Sequence, residues 1–109
     1  MKHNINTKTR YQICLDLAKC IYNEIQVEVH IHFTGTSIYA ELPYLPPIYP
    51  TAIGTRLNNY LKNAFGLSMP ALDFNEHKQM DDSWVRALCY EVDEAKWQEI
   101  QTLLRMKGY

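Results

Sequence analysis

His30 and His32, two histidines one residue apart, are the side chains whose types and spacing most invite chemistry in this 109-residue chain. In an extended strand alternate side chains share a face, so the two imidazoles stand about 7 Å apart along it. That spacing suits two ligands of a divalent metal such as zinc. Glu41 can complete the set if a neighbouring strand brings its carboxylate to the same face. Glu28 lies on that face as well. The plainer expectation is a solvated sheet face on which each histidine pairs with a neighbour, and it is the favoured one. No cofactor is therefore expected, with zinc at His30, His32 and Glu41 as the alternative.

Other constellations are weaker. Asp73, Glu76, His77, Asp81 and Asp82 form a polar, carboxylate-rich run that can bind a cation or move a proton, but the spacing matches no calcium loop. A loop that needs polar residues to stay solvated looks the same. Cys14 and Cys20 are six residues apart on one helix, about 240° around its axis, and cannot share a site. Cys89 falls among apolar strand residues, where a cysteine usually serves as a small hydrophobe. The chain has no GxSxG, phosphate-loop or dinucleotide fingerprint, so nothing supports an enzyme. Arg56, Asn58, Asn59, Lys62 and Asn63 give the second helix a polar side that can touch phosphates or bases. Two cations on a chain of net charge −1 are too few to drive such binding, and nucleic acid is not the expected partner.

The remaining candidate is a surface. Pro43 to Thr51 reads PYLPPIYPT, a stiff extended connector that presents Tyr44, Leu45, Ile48 and Tyr49. A segment held extended before binding loses little entropy when it docks, and tyrosine is frequent in interface hot spots. Tyr39 and His32 can adjoin it from the hairpin. The competing expectation is that these side chains close the edge of the core.

The element that positions His30, His32, Tyr39 and Glu41 is a β-hairpin over Val27 to Leu42. With Gly35-Thr36 as a two-residue type II′ turn, paired residues have numbers that sum to 71. Phe33 then faces Ile38, Ile31 faces Ala40, and Val29 faces Leu42, giving one wholly apolar face. His32 faces Tyr39 and His30 faces Glu41 on the other. A slip of one residue would mix the two sets. Two strands alone are marginal in water, so the apolar face needs a cover.

Three helices can supply that cover. Tyr11, Cys14, Leu15, Ala18, Ile21, Tyr22 and Ile25 recur at helical spacing after a cap at Asn6, Thr7 or Thr9, with Lys8, Gln12, Asp16, Lys19 and Asn23 opposite. Thr51 caps a second helix with Ile53, Leu57, Tyr60, Leu61, Ala64 and Phe65 inward and Gly66 at its end. Asp93 caps a third with Ala95, Trp97, Ile100, Leu103 and Leu104 inward. Trp84 to Val92 is a further strand, with Leu88, Tyr90 and Val92 on one face. Residues 67–83 read as loop, with a short edge strand at Leu72–Phe74. The expected fold is a single α+β domain over residues 1–109, a small mainly antiparallel sheet covered by three helices in the order α-β-β-α-β-α.

Hydrophobic residues make up 47% and charged residues 21%, the balance of an ordinary globular domain. No apolar run approaches the length of a membrane span, and the polar start MKHNINTKTR lacks the apolar middle of a signal peptide. Three cysteines without CxxC spacing fit a reducing compartment, so a cytoplasmic location is expected. The functional expectation is a small non-enzymatic protein–protein interaction module, a stand-alone inhibitor or adaptor. One example of that class is an inhibitor of a host defence system such as CRISPR-Cas, encoded by a phage or mobile element. The alternatives are a metal-binding protein or enzyme at His30 and His32, and a nucleic-acid-associated protein using the second helix.

Overall fold

The computed structural model describes residues 8–42, 50–67, 75–78 and 84–109. Its elements are α1 (Arg10–Ile25), β1 (His30–Thr34), β2 (Ser37–Leu42), α2 (Pro50–Phe65), β3 (Asn75–Lys78), β4 (Trp84–Glu91) and α3 (Glu94–Met106). The four strands form one antiparallel sheet in the order β1-β2-β4-β3. The α+β class, the three helices and their order along the chain are as expected. Strand β3 is an addition: Asn75–Lys78 pairs with β4 where the sequence reads as loop. The expected strand at Leu72–Phe74 lies outside the described residues.

The hairpin register is the one that the apolar pattern requires. His30 pairs with Glu41, Ile31 with Ala40, His32 with Tyr39, Phe33 with Ile38, and Thr34 with Ser37. Gly35 has φ +58° and Thr36 keeps a negative φ, which fits a type II′ turn and excludes type I′. Strand β2 sits inside the sheet, pairing Ile38 with Tyr90 and Ala40 with Leu88 on its second side. These register positions carry the sheet's buried face: Ile31, Ile38, Ala40, Leu42, Leu88 and Tyr90 are all buried.

The helices contact one another and close over that face. Thr9 caps α1, its hydroxyl accepting from the Gln12 backbone N–H at 3.1 Å. Helix α1 ends at Gln26, which takes a left-handed conformation with φ 54°. Leu57, Leu61 and Phe65 of α2, with Trp97, Ile100 and Leu104 of α3, fill the interior as their spacing predicts. Helix α2 begins at Pro50, so Thr51 lies in its first turn and not at a cap before it. Proline suits that first position because its missing N–H would have no partner there. Asp93 caps α3, its carboxylate accepting from Lys96 N–H at 2.8 Å.

Helix α1 departs from its expected orientation. Tyr11, Leu15 and Tyr22 are exposed, and Asp16 is buried. Ile13, Cys14, Leu17, Cys20 and Ile21 form the inner face instead. Asp16 is tolerated inside because Lys8 Nζ donates to its Oδ2 at 2.6 Å and Gln12 Nε2 donates to its Oδ1 at 3.0 Å. The same lysine donates to the Tyr109 backbone oxygen at 2.6 Å, tying the start of α1 to the residues after α3. Ala95 of α3, expected inward, is exposed.

Candidate functional site

All three helices pack on the apolar side of the sheet, so among the described elements none covers the other side. On that open side stand His30 and His32 from β1, Tyr39 and Glu41 from β2, and Cys89 and Glu91 from β4. The strand alternation that buries Ile31, Ile38, Ala40 and Leu88 places them there.

The centre of this face is a row of three. His32 stacks on Tyr39 with ring centroids 5.3 Å apart and an interplanar angle of 17°. Tyr39 pairs in turn with Cys89. The negative charge that the neighbouring Cys89 sulfur would carry as a thiolate, together with its hydrogen bond to the phenol, raises the Tyr39 ionisation above its ordinary range, and Glu91 adds to the effect. Tyr39 is therefore a neutral phenol at physiological pH.

Glu41 organises the neighbouring row. Its Oε1 lies 3.4 Å from His30 Nδ1 and its Oε2 lies 3.3 Å from His32 Nε2, so one carboxylate spans two imidazoles. The two rings are 5.6 Å apart and tilted by 32°. The sequence thus brings together the residues expected to meet, with each carboxylate oxygen of Glu41 directed to a different imidazole. Among the described residues no group of three His, Cys, Asp or Glu side chains is arranged to hold a metal ion. The arrangement shown is a carboxylate–imidazole hydrogen-bonding cluster that can present either a donor or an acceptor to a ligand as the histidines change tautomer.

Of the surface candidates, Tyr39 and His32 are on the open face, while Tyr44, Leu45, Ile48 and Tyr49 lie outside the described residues. Asp73, Asp81 and Asp82 lie outside them too, and Glu76 and His77 belong to strand β3. The polar side of α2 is partly used within the fold. Arg56 donates to the Ile25 carbonyl at 2.6 Å, and Asn58 Oδ1 accepts from the Tyr90 hydroxyl at 2.7 Å. Those contacts tie α2 to the end of α1 and to β4, leaving a smaller polar surface than the spacing suggests.

The cysteines are dispersed. Cys14 is buried in α1, and burial raises its thiol to about 11. Cys20 Sγ lies 3.3 Å from the Tyr60 hydroxyl, joining α1 to α2. Burial keeps Cys14 from the reactive thiolate form, and Cys20 is fully enclosed in the core. No described helix is long and apolar enough to cross a membrane.

Two features of α1 were missed in the sequence. One is the ion pair that permits Asp16 to be buried; a lysine eight residues upstream gives no periodic signal. The other is the exposed stripe on α1, which periodicity alone assigns to the core. A search of protein-family models, of curated proteins and of solved structures finds no match to this chain.

Proposed function

We propose that the chain is a small protein–protein interaction module that docks a partner protein on its open sheet face. The observation that carries this reading is the stacked His32–Tyr39 pair, flanked by Glu41, on a sheet whose opposite face shares one core with the described helices. A partner meets there two flat rings, already held by their strands, with polar atoms at their rims. Rigid aromatic groups of this kind lose little freedom on binding. The connector residues Tyr44, Leu45, Ile48 and Tyr49 belong to the same proposal, because their prolines favour an extended, preorganised segment. A stand-alone inhibitor or adaptor is the class of protein that this describes, including an inhibitor of a host defence system such as CRISPR-Cas.

The test is site-specific photo-crosslinking in cells of the source type. A photoreactive residue replaces Tyr39 in one variant and the exposed Gln98 of α3 in a control. A protein trapped from position 39 and absent from position 98 is the expected result. His32→Ala and Tyr39→Ala should weaken binding of that protein by about 1–3 kcal/mol each with little change in melting temperature. Identical products from the two positions would remove the proposal.

A further inference from the structure

A second surface stands apart from the open face. Tyr11, Leu15, Ala18 and Tyr22 are spaced by four, three and four residues, which confines them to a strip about 60° wide along α1. Tyr11 is 66% exposed and Tyr22 is 55% exposed, although the buried side of the same helix is fully engaged in the core. Ala18 and Tyr22 also line a groove of ≈ 550 Å³ together with Lys19, Asn23, Glu28 and Val29. The groove therefore runs from the stripe to the residues that lead into β1.

Strand β1 is an edge of the sheet. A two-residue turn closes on a hydrogen-bonded pair, here Thr34–Ser37, so bonded pairs recur at His32–Tyr39 and His30–Glu41. The alternation agrees with the Val92 N–H to Thr36 carbonyl bond of 2.8 Å on the far side of β2. It follows that the backbone groups of Ile31 and Phe33 point away from β2, toward the outer edge. Natural edges are usually blunted by lysine, proline or a bulge. HIHFT contains neither residue, and its pairing with β2 runs without a bulge.

We infer that this edge and the α1 stripe together bind a second copy of the chain, β1 pairing antiparallel with β1 and α1 packing on α1 about a two-fold axis. A two-fold contact needs a surface complementary to itself. An antiparallel edge satisfies that requirement for the backbone, and an apolar stripe satisfies it for the side chains. Charge does so too: Lys19 and Glu28 share the groove, so each lysine can meet the second copy's glutamate. A net charge of −1 sets little repulsion against association. Phe33, 36% exposed at the same edge, extends the apolar contact.

The experiment is sedimentation equilibrium on the full chain across a concentration series up to about 100 μM, well within the range of specific association. A dimer mass that gives way to monomer on dilution is expected. Leu15→Glu and Tyr22→Glu, both at exposed positions, should raise the dimer dissociation constant at least about tenfold with the circular dichroism spectrum and melting of the monomer kept. Lys19→Glu and Glu28→Lys should each weaken association by roughly two- to fivefold, and the double exchange should restore it. A monomer throughout the series, or a dimer indifferent to Leu15→Glu and Tyr22→Glu, overturns the inference. So does a double exchange as weak as its two single parents.

Discussion

Lys8 Nζ reaches the Asp16 carboxylate at 2.6 Å, and this contact accompanies the burial of an acidic residue on the inner side of α1. Asp16 is only 6% exposed, so the helix turns a charged residue inward and three large apolar ones outward. The cost is offset by two donors on the carboxylate and by the tie from Lys8 to the Tyr109 backbone oxygen. Lys8→Ala should destabilise the fold by about 1–3 kcal/mol, because it leaves a desolvated carboxylate with Gln12 alone. Asp16→Asn retains the shape and should cost less than Lys8→Ala. Urea unfolding of the two variants gives the order, and a larger loss for Asp16→Asn would contradict this account.

The hairpin register makes a sharper contrast. Ile31 is buried against the helices, whereas His32 points to the open face. Ile31→Ala should lose about 2–5 kcal/mol. His32→Ala should lose less than about 1 kcal/mol of stability, since its partners remain partly solvated. Equal losses at the two neighbouring positions would mean that the sheet faces are wrongly assigned.

How much of this was legible in the sequence depends on the range of the interaction that decides each feature. Local pairing rules gave the hairpin register to the residue, because a one-residue slip would put His30 and His32 among Ile38, Ala40 and Leu42, although β1 begins at His30 and the expected Val29–Leu42 pair is not part of the ladder. Capping chemistry placed Thr9 and Asp93 correctly among the candidate caps. The rotation of α1 was not legible. Its apolar residues cover more of the helix circumference than one interface can bury, and the buried side is fixed by long-range contacts with the sheet and with α3 that periodicity does not reveal. Arg10 makes that point: it pairs with Glu94 at 2.5 Å and lies over the Trp97 ring, 84 and 87 positions along the chain. Strand β3 was missed for a related reason. Asn75–Lys78 is polar, and only its pairing with β4 makes it a strand. The candidate site was legible as a set, His30, His32, Tyr39 and Glu41, but the span of one Glu41 carboxylate across both imidazoles was not.

Trp97 has an unusual energetic position. It is 3% exposed, its ring meets Phe33 edge-on at 5.6 Å, and its indole N–H finds no acceptor among the described residues. An unpaired buried donor costs about 1–3 kcal/mol, which counters part of the gain from burying the ring. Trp97→Phe removes that donor along with some contact area, so its net change should stay within about 1 kcal/mol. Trp97→Ala should cost about 3–5 kcal/mol. Thermal unfolding of both variants tests the pair of values, and a loss for Trp97→Phe close to that for Trp97→Ala would show that the indole N–H is satisfied after all.

Alkaline pH should unfold the protein through its buried acids. Burial raises the Cys14 thiol from 9.0 to about 11. Burial likewise pushes the Tyr90 and Tyr60 hydroxyls upward, Tyr60 being held further by its hydrogen bond to Cys20. For each group the folded state keeps a proton that the unfolded chain releases first. The native form then binds more protons between the two pKa values, and stability falls as pH rises through that interval. For Cys14 the contribution is complete below 9.0 and is lost by about 11. Cys14→Ala removes that titration at the cost of a small cavity, so its stability should decline less steeply over this window than that of the parent chain. Tyr90→Phe should also flatten the decline at higher pH, while losing the bond to Asn58 and about 1 kcal/mol at neutral pH. Denaturant midpoints collected every half unit of pH will show the slopes. If Cys14→Ala and the parent decline in parallel between these limits, the buried thiol is not the group that titrates.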